Sequence, residues 1–253
     1  MSGLMTGSWQ RPGPPERVST ICPSLMILVE NALSWAWRVL LSDVADGKFS
    51  LCSAKEDEIT EQIQVILGEL HAAESAPVEG FSLLSFGGRD GAMRSYDRRH
   101  LDLQPDLTFY PLRESIPTTN TIFAGIFVEC KPVDSNHPLS GAYCKEGLAR
   151  FIRGDYAWAV DRALMVGYVR NRCWLPSGLL ACARGAAAQE YGFSGAIEEA
   201  AKTCLGDKVF RSVHRRSFVL GERPVEPIAL DHLWLYPASP CEVTRCRGTG
   251  AGA

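Results

Sequence analysis

The sequence predicts an α/β fold: a mixed central sheet with helices on both faces, three layers in all. Three observations predict it. The run from Ile122 to Val128 is rich in strand formers and reads as a buried strand, with charges gathered at its end in Glu129, Cys130 and Lys131. Stretches with apolar residues at helical spacing precede and follow that run. Near the end of the chain, Phe210 to Phe218 and Ile228 to Tyr236 return to strand composition.

The chain has 253 residues, enough for one sizeable core with small additions. An apolar content of 46% with 22% charged residues describes a globular protein. The formal net charge of −3 excludes a global basic field, so any contact with DNA needs a local patch. Nine cysteines without a CxxC pair argue against a disulfide framework or a zinc ribbon, and are expected as free thiols in a reducing cytoplasm. Cys241, Cys246 and His232 are the nearest approach to a metal cluster, and their spacing is unlike that of zinc ligands.

Residues 1–20 are rich in Gly, Pro and Ser and are expected to be disordered, as is the tail from 244 to 253. Between them, 21–243 is expected as one domain. Ser24 to Ser42 is nearly long enough to span a bilayer, but Glu30, Asn31 and Arg38 interrupt it, so it is expected as a buried amphipathic helix with no membrane role. It also lacks the flanks of a secretory signal. Lys55 to Ala73 places Ile59, Ile63, Ile66, Leu67 and Leu70 on one helix face, flanked by Glu58, Glu61 and Gln62. Phe81 to Phe86 reads as a strand and Gly87 to Gly91 as a turn. A phosphate loop is excluded there, because no Lys-Ser/Thr pair or helix follows.

Gln104 to Tyr110 reads as a second strand, with Pro105 and Asp106 at its start. After Lys131, Pro132 to Pro138 is a loop, and Ser140 to Arg153 and Asp155 to Arg170 are expected as two helices. Leu179 to Tyr191 and Gly195 to Cys204 are alanine-rich and also expected as helices, before the two closing strands pair as a hairpin.

Alternation along the central strand puts Phe127, Glu129 and Lys131 on one face and Val128 and Cys130 on the other. Consecutive strands usually neighbour each other, which brings Asp106 close to Glu129 and Lys131. Cys130 points away from these charges and has no histidine base beside it, so it is expected to pack in the core rather than act as a nucleophile. Asp46-Gly47-Lys48 repeats the acid-x-Lys spacing but sits in a polar turn with no strand leading into it.

Pro105-Asp106, then 22 residues, then Glu129-Cys130-Lys131 resembles the signature of the PD-(D/E)XK, or restriction-endonuclease-like, nuclease superfamily. The resemblance covers roughly Lys55 to Asn171. It implies a restriction-endonuclease-like core with N- and C-terminal additions, and a Mg²⁺-dependent endonuclease acting on DNA, with Mn²⁺ able to substitute. Asp106 and Glu129 would hold the cation, together with the backbone carbonyl of Cys130, because hard cations prefer oxygen ligands. Lys131 would orient the attacking water or steady developing charge. A glutamate from the preceding helix, Glu58 or Glu61, would assist.

Arg98, Arg99, Arg150, Arg153, Arg215 and Arg216 are the candidates for backbone phosphate contacts, with His214 beside the last two. The superfamily's usual users suggest microbial defence or a mobile element, in the cytoplasm, and leave room for a homodimer or an activating protein partner. Two rivals stand beside this reading: a catalytically silent nuclease fold serving as a binding or scaffolding module, and a coincidental motif. Carboxylates of Asp106 and Glu129 more than about 8 Å apart would favour coincidence, since they could not share one cation.

Overall fold

The computed structural model describes residues 18–73, 77–87, 95–97, 99, 103–111, 123–170, 175–185, 188–220 and 222–237. Helix α1 (Pro23–Ala45) opens on a proline, whose fixed φ suits a first turn. Its length and composition would pass for a membrane span. Yet Met26, Val29, Leu33, Ala36, Trp37 and Leu40, spaced three and four apart, are all buried against the rest of the protein. Trp37 stacks on Tyr168 at 5.7 Å and donates its indole N–H to the Tyr236 carbonyl at 2.8 Å.

Helix α2 (Glu56–Ala72) buries Ile59, Ile63, Ile66, Leu67 and Leu70, the stripe its spacing predicts. A short 3₁₀ turn, Phe81–Leu83, leads into β1 (Leu84–Gly87), and β2 (Leu107–Pro111) and β3 (Ile126–Val133) follow. A helix of π geometry, Leu139–Leu148, runs straight into the five-residue α3 (Ala149–Arg153). Then come β4 (Arg162–Val169), α4 (Leu175–Arg184), β5 (Glu198–Lys202), β6 (Lys208–His214), β7 (Val219–Leu220), β8 (Arg223–Pro224) and β9 (Ile228–Leu235).

Among the described residues, seven strands form one mixed sheet in the order β1-β2-β3-β4-β9-β6-β5. β1, β2 and β3 run as an antiparallel meander, β4 and β9 are parallel to β3, and β6 and β5 close the far side antiparallel. On one face Tyr168 meets α1 through Trp37 and α2 through a 3.2 Å bond with the Thr60 hydroxyl. On the other face the π helix lies close: a Cβ at Gly147 would stand 2.8 Å from Met165 Cε, 3.2 Å from Lys131 Cγ and 3.4 Å from Glu129 Cγ. Helices therefore cover the sheet from both sides, as the sequence predicts of an α/β fold.

Three expectations need correction. Arg162–Val169 is a strand and not the second half of a helix: it lies between parallel neighbours β3 and β9, where both faces are buried and no alternation survives to mark it. Glu198–Lys202 is likewise a strand, held by its pairing with β6 against the helix propensity of its alanines. Cys52 is disulfide-bonded, so the thiols are not all free as composition suggested. Cys22, Cys130, Cys144, Cys182 and Cys204 are free. β6 and β9 are antiparallel neighbours as expected, with the small β7–β8 ribbon inserted between them in the chain. Residues 1–17 and 238–253, including nearly all of both expected disordered ends, lie outside the described residues.

Candidate active site

The pairing of β2 with β3 sets Leu107 opposite Val128, which puts Asp106 across from Glu129. The ladder stops there, and the Asp106 side chain continues it: the Cys130 N–H donates to Asp106 Oδ2 at 2.7 Å. In a strand the N–H and C=O of one residue point to the same side, so the Cys130 carbonyl projects toward that same edge. The thiol of Cys130 is buried on the opposite face, and burial pushes it well above its ordinary pKa, which removes it as a nucleophile.

Lys131 is the hub of the site. Its Nζ lies 2.9 Å from Glu129 Oε1, 3.7 Å from Asp106 Oδ2 and 2.5 Å from Glu56 Oε1. Burial by itself would lower the ammonium's pKa, but Glu129, Asp106 and Glu56 together hold it above the ordinary lysine value. These three carboxylates favour the charged ammonium.

Glu129 is fully buried, and burial followed by the charge of Asp106 raises its carboxyl to about 7 against the pull of Lys131 and Arg150. The Tyr156 hydroxyl donates to Glu129 Oε2. Arg150 Nη1 lies 3.1 Å from Glu129 Oε1. That oxygen is approached by two cations as ion pairs, yet neither is aligned as a hydrogen bond, which leaves a buried acceptor without a directed donor. Burial also pushes Glu56 up, with Lys131 opposing.

The structure thus brings together Asp106, Glu129 and Lys131, and does not bring Glu58 or Glu61. Glu58 accepts the Lys55 N–H at 2.7 Å and caps its own helix, and Glu61 is exposed. The helix glutamate at the site is Glu56. Its signal was in the sequence: Glu56, Ile59 and Ile63 follow the i, i+3, i+7 spacing, so the apolar stripe of α2 runs back onto Glu56 and bypasses Glu58. Tyr156 and Gly147 were also missed. Gly147 matters because the contacts a Cβ would meet there are the stems of Lys131 and Glu129.

Of the candidate phosphate contacts, Arg150 is at the site, and Arg98 lies outside the described residues. Arg99 and Arg153 are exposed and pair locally with Asp97 and Asp155. Arg215 is exposed. Arg216 and His214 are corrections, since both are buried. The Arg216 guanidinium donates to the carbonyls of Glu226 at 2.7 Å, Val160 at 3.1 Å and Ala157 at 3.2 Å, and burial lowers its pKa to about 10. It ties down the segment after Tyr156, in which Ala157 holds a positive φ of 54°. His214 shares the Ser212 hydroxyl with His232, and Tyr143 meets the other nitrogen of His232 at 2.9 Å, a chain of polar groups sealed inside the fold.

The oxygens of Asp106 and Glu129 both face one Nζ, so they lie no more than about 7 Å apart, inside the separation at which sharing one cation is ruled out. The donor set is two carboxylates and a backbone carbonyl, which suits a hard cation such as Mg²⁺ or Mn²⁺ rather than zinc. Glu129 Oε1 is the orphaned acceptor such a cation would satisfy. Among the described residues no group of three or more His, Cys, Asp or Glu side chains is arranged to hold a metal. The charges standing between the carboxylates are Lys131 and Arg150. A hard cation would be held by these oxygens beside Lys131 and Arg150.

No protein-family model, curated protein or solved structure matches this chain. Its function has to be read from its own residues.

Proposed function

We propose that this protein is a Mg²⁺-dependent nuclease of the PD-(D/E)XK kind, hydrolysing phosphodiester bonds in DNA, with a restriction-endonuclease-like core inside its mixed sheet. The observation that carries the reading is the convergence of Asp106, Glu129 and Glu56 on the buried ammonium of Lys131 where β3 meets the end of β2. The order of parts agrees with the resemblance: a glutamate-bearing helix precedes the Asp106 strand, and a helix follows the Glu-x-Lys strand. A buried cluster of this kind costs stability unless its members pair well, and such clusters concentrate at functional sites.

Asp106, Glu129 and the Cys130 carbonyl would hold the cation, which when bound neutralises phosphate charge and makes its water acidic. Glu56 and Asp106 fix the Lys131 ammonium, which orients a water for attack and lies ready to steady charge on the phosphate. Tyr156 keeps Glu129 from rotating. A role in microbial defence or a mobile element follows from analogy with the fold's users alone.

A rival reading is a catalytically silent binding module, favoured by the fact that Lys131 and Arg150 already neutralise much of the cluster. Incubating plasmid and single-stranded DNA with the protein in Mg²⁺, Mn²⁺ or EDTA separates the two. Cleavage in either metal that stops in EDTA supports the nuclease. Metal binding without cleavage supports the silent module.

A further inference from the structure

Three groups hold the Glu129 carboxylate, and they differ in freedom. Tyr156 is fully buried, and the Lys131 side chain is 6% exposed and anchored by two other carboxylates. The Arg150 side chain is 30% exposed and reaches Glu129 Oε1 from the solvent side, out of the short α3. It has the planar, always charged fork that binds phosphate and carboxylate alike. Among the described partners of Glu129, Arg150 is therefore the one whose side chain is substantially exposed to solvent.

We propose that Arg150 is a phosphate-responsive gate on Glu129. In the free protein it pairs with Glu129. When a phosphodiester enters, the guanidinium turns to the phosphate, and Oε1, still beside Lys131, is open on the Arg150 side to a divalent cation. The proposal rests on the nuclease reading and adds the order of events at the site. Its physical basis is charge balance. Glu129, Asp106 and Glu56 are opposed by Lys131 and Arg150, so a divalent cation entering with Arg150 in place meets a nearly neutral cluster and a positive side chain in its way. An incoming phosphate supplies negative charge and draws Arg150 out in one step. Cation and nucleic acid then bind cooperatively, each raising the other's affinity by the same factor. A metal-loaded site without substrate is disfavoured.

The test is calorimetric titration of Ca²⁺, an oxygen-seeking probe, into the full chain, alone and with saturating duplex oligonucleotide, with a gel confirming that the duplex stays intact. For wild type the duplex raises Ca²⁺ affinity about tenfold or more. In Arg150→Gln the free protein binds Ca²⁺ more tightly than wild type, and the duplex adds less than about threefold. Arg150→Lys, which keeps the charge without the fork, retains part of the coupling. Wild-type coupling in Arg150→Gln, in protein shown by its melting curve to be folded, overturns the gate while leaving the nuclease standing. Absence of Ca²⁺ binding by wild type in both conditions, together with no Mg²⁺-dependent cleavage, overturns the nuclease reading itself and the gate with it.

Discussion

Substituting Glu30 with Gln tests the electrostatics of the buried side of the sheet, away from the proposed active site. Glu30 on α1 and Asp231 on β9 are both essentially inaccessible to solvent. Arg211 clasps both oxygens of Asp231, at 2.6 Å and 3.0 Å. Burial first, and then the charge of Asp231, raises the Glu30 carboxyl from 4.5 to about 8. At neutral pH Glu30 is therefore the protonated member of an acid pair. The folded state keeps a proton that the unfolded chain releases above pH 4.5, so this group's contribution to stability declines as pH rises from 4.5 to about 8 and is flat beyond. Between pH 6 and pH 9 about two pKa units of that window are crossed, or ~3 kcal/mol. For a chain of this size that is about 6–12 °C in Tm. Glutamine keeps a donor toward Asp231 and does not titrate. Thermal melts followed by circular dichroism at both pH values should show Glu30→Gln gaining on wild type by about 3 kcal/mol as pH rises. A stability difference that stays constant from pH 6 to pH 9 would refute the shared-proton account.

Three further substitutions probe the site and its scaffold. Gly147→Ala asks Met165 Cε, the end of a flexible side chain, and Lys131 Cγ to move by tenths of an ångström, so Tm should hold while DNA cleavage falls at least about tenfold. Gly192→Ala places a Cβ 2.3 Å from the Arg215 carbonyl oxygen at a φ of +59°, a backbone clash that no rotamer relieves; urea melts should show a loss above about 2 kcal/mol. Tyr156→Phe removes a donor that lowers the Glu129 pKa, so the pH profile of cleavage should shift to higher pH, with about 1–2 kcal/mol lost in stability. An unshifted profile would show that Glu129 does not control the rate.

The centre of the molecule was legible because its signals are local. The central strand announces itself by composition, and alternation alone sends Glu129 and Lys131 to one face and Cys130 to the other. Asp106 could be placed because neighbouring strands pair. What failed depended on contacts between distant segments. β4 reads like a helix because strands flanked on both sides lose their alternation, and only its place between β3 and β9 decides the matter. Glu56 was passed over for Glu58 because both sit in the first turn of α2, and a capping role and a site role are separated only by which side faces the sheet. Arg216 carries the same charge as a phosphate contact, but it spends its donors on backbone carbonyls that only the folded chain brings to it.

The central claim is that Asp106, Glu129 and Lys131 form one hydrolytic centre, and cleavage of supercoiled plasmid by wild type, Asp106→Asn, Glu129→Gln and Lys131→Gln at equal folded concentration tests it most directly. Nicking or linearisation in Mg²⁺ or Mn²⁺ by wild type alone, abolished by EDTA, is the predicted result. Cleavage that persists in all three variants, or no cleavage by wild type under either metal, would contradict it.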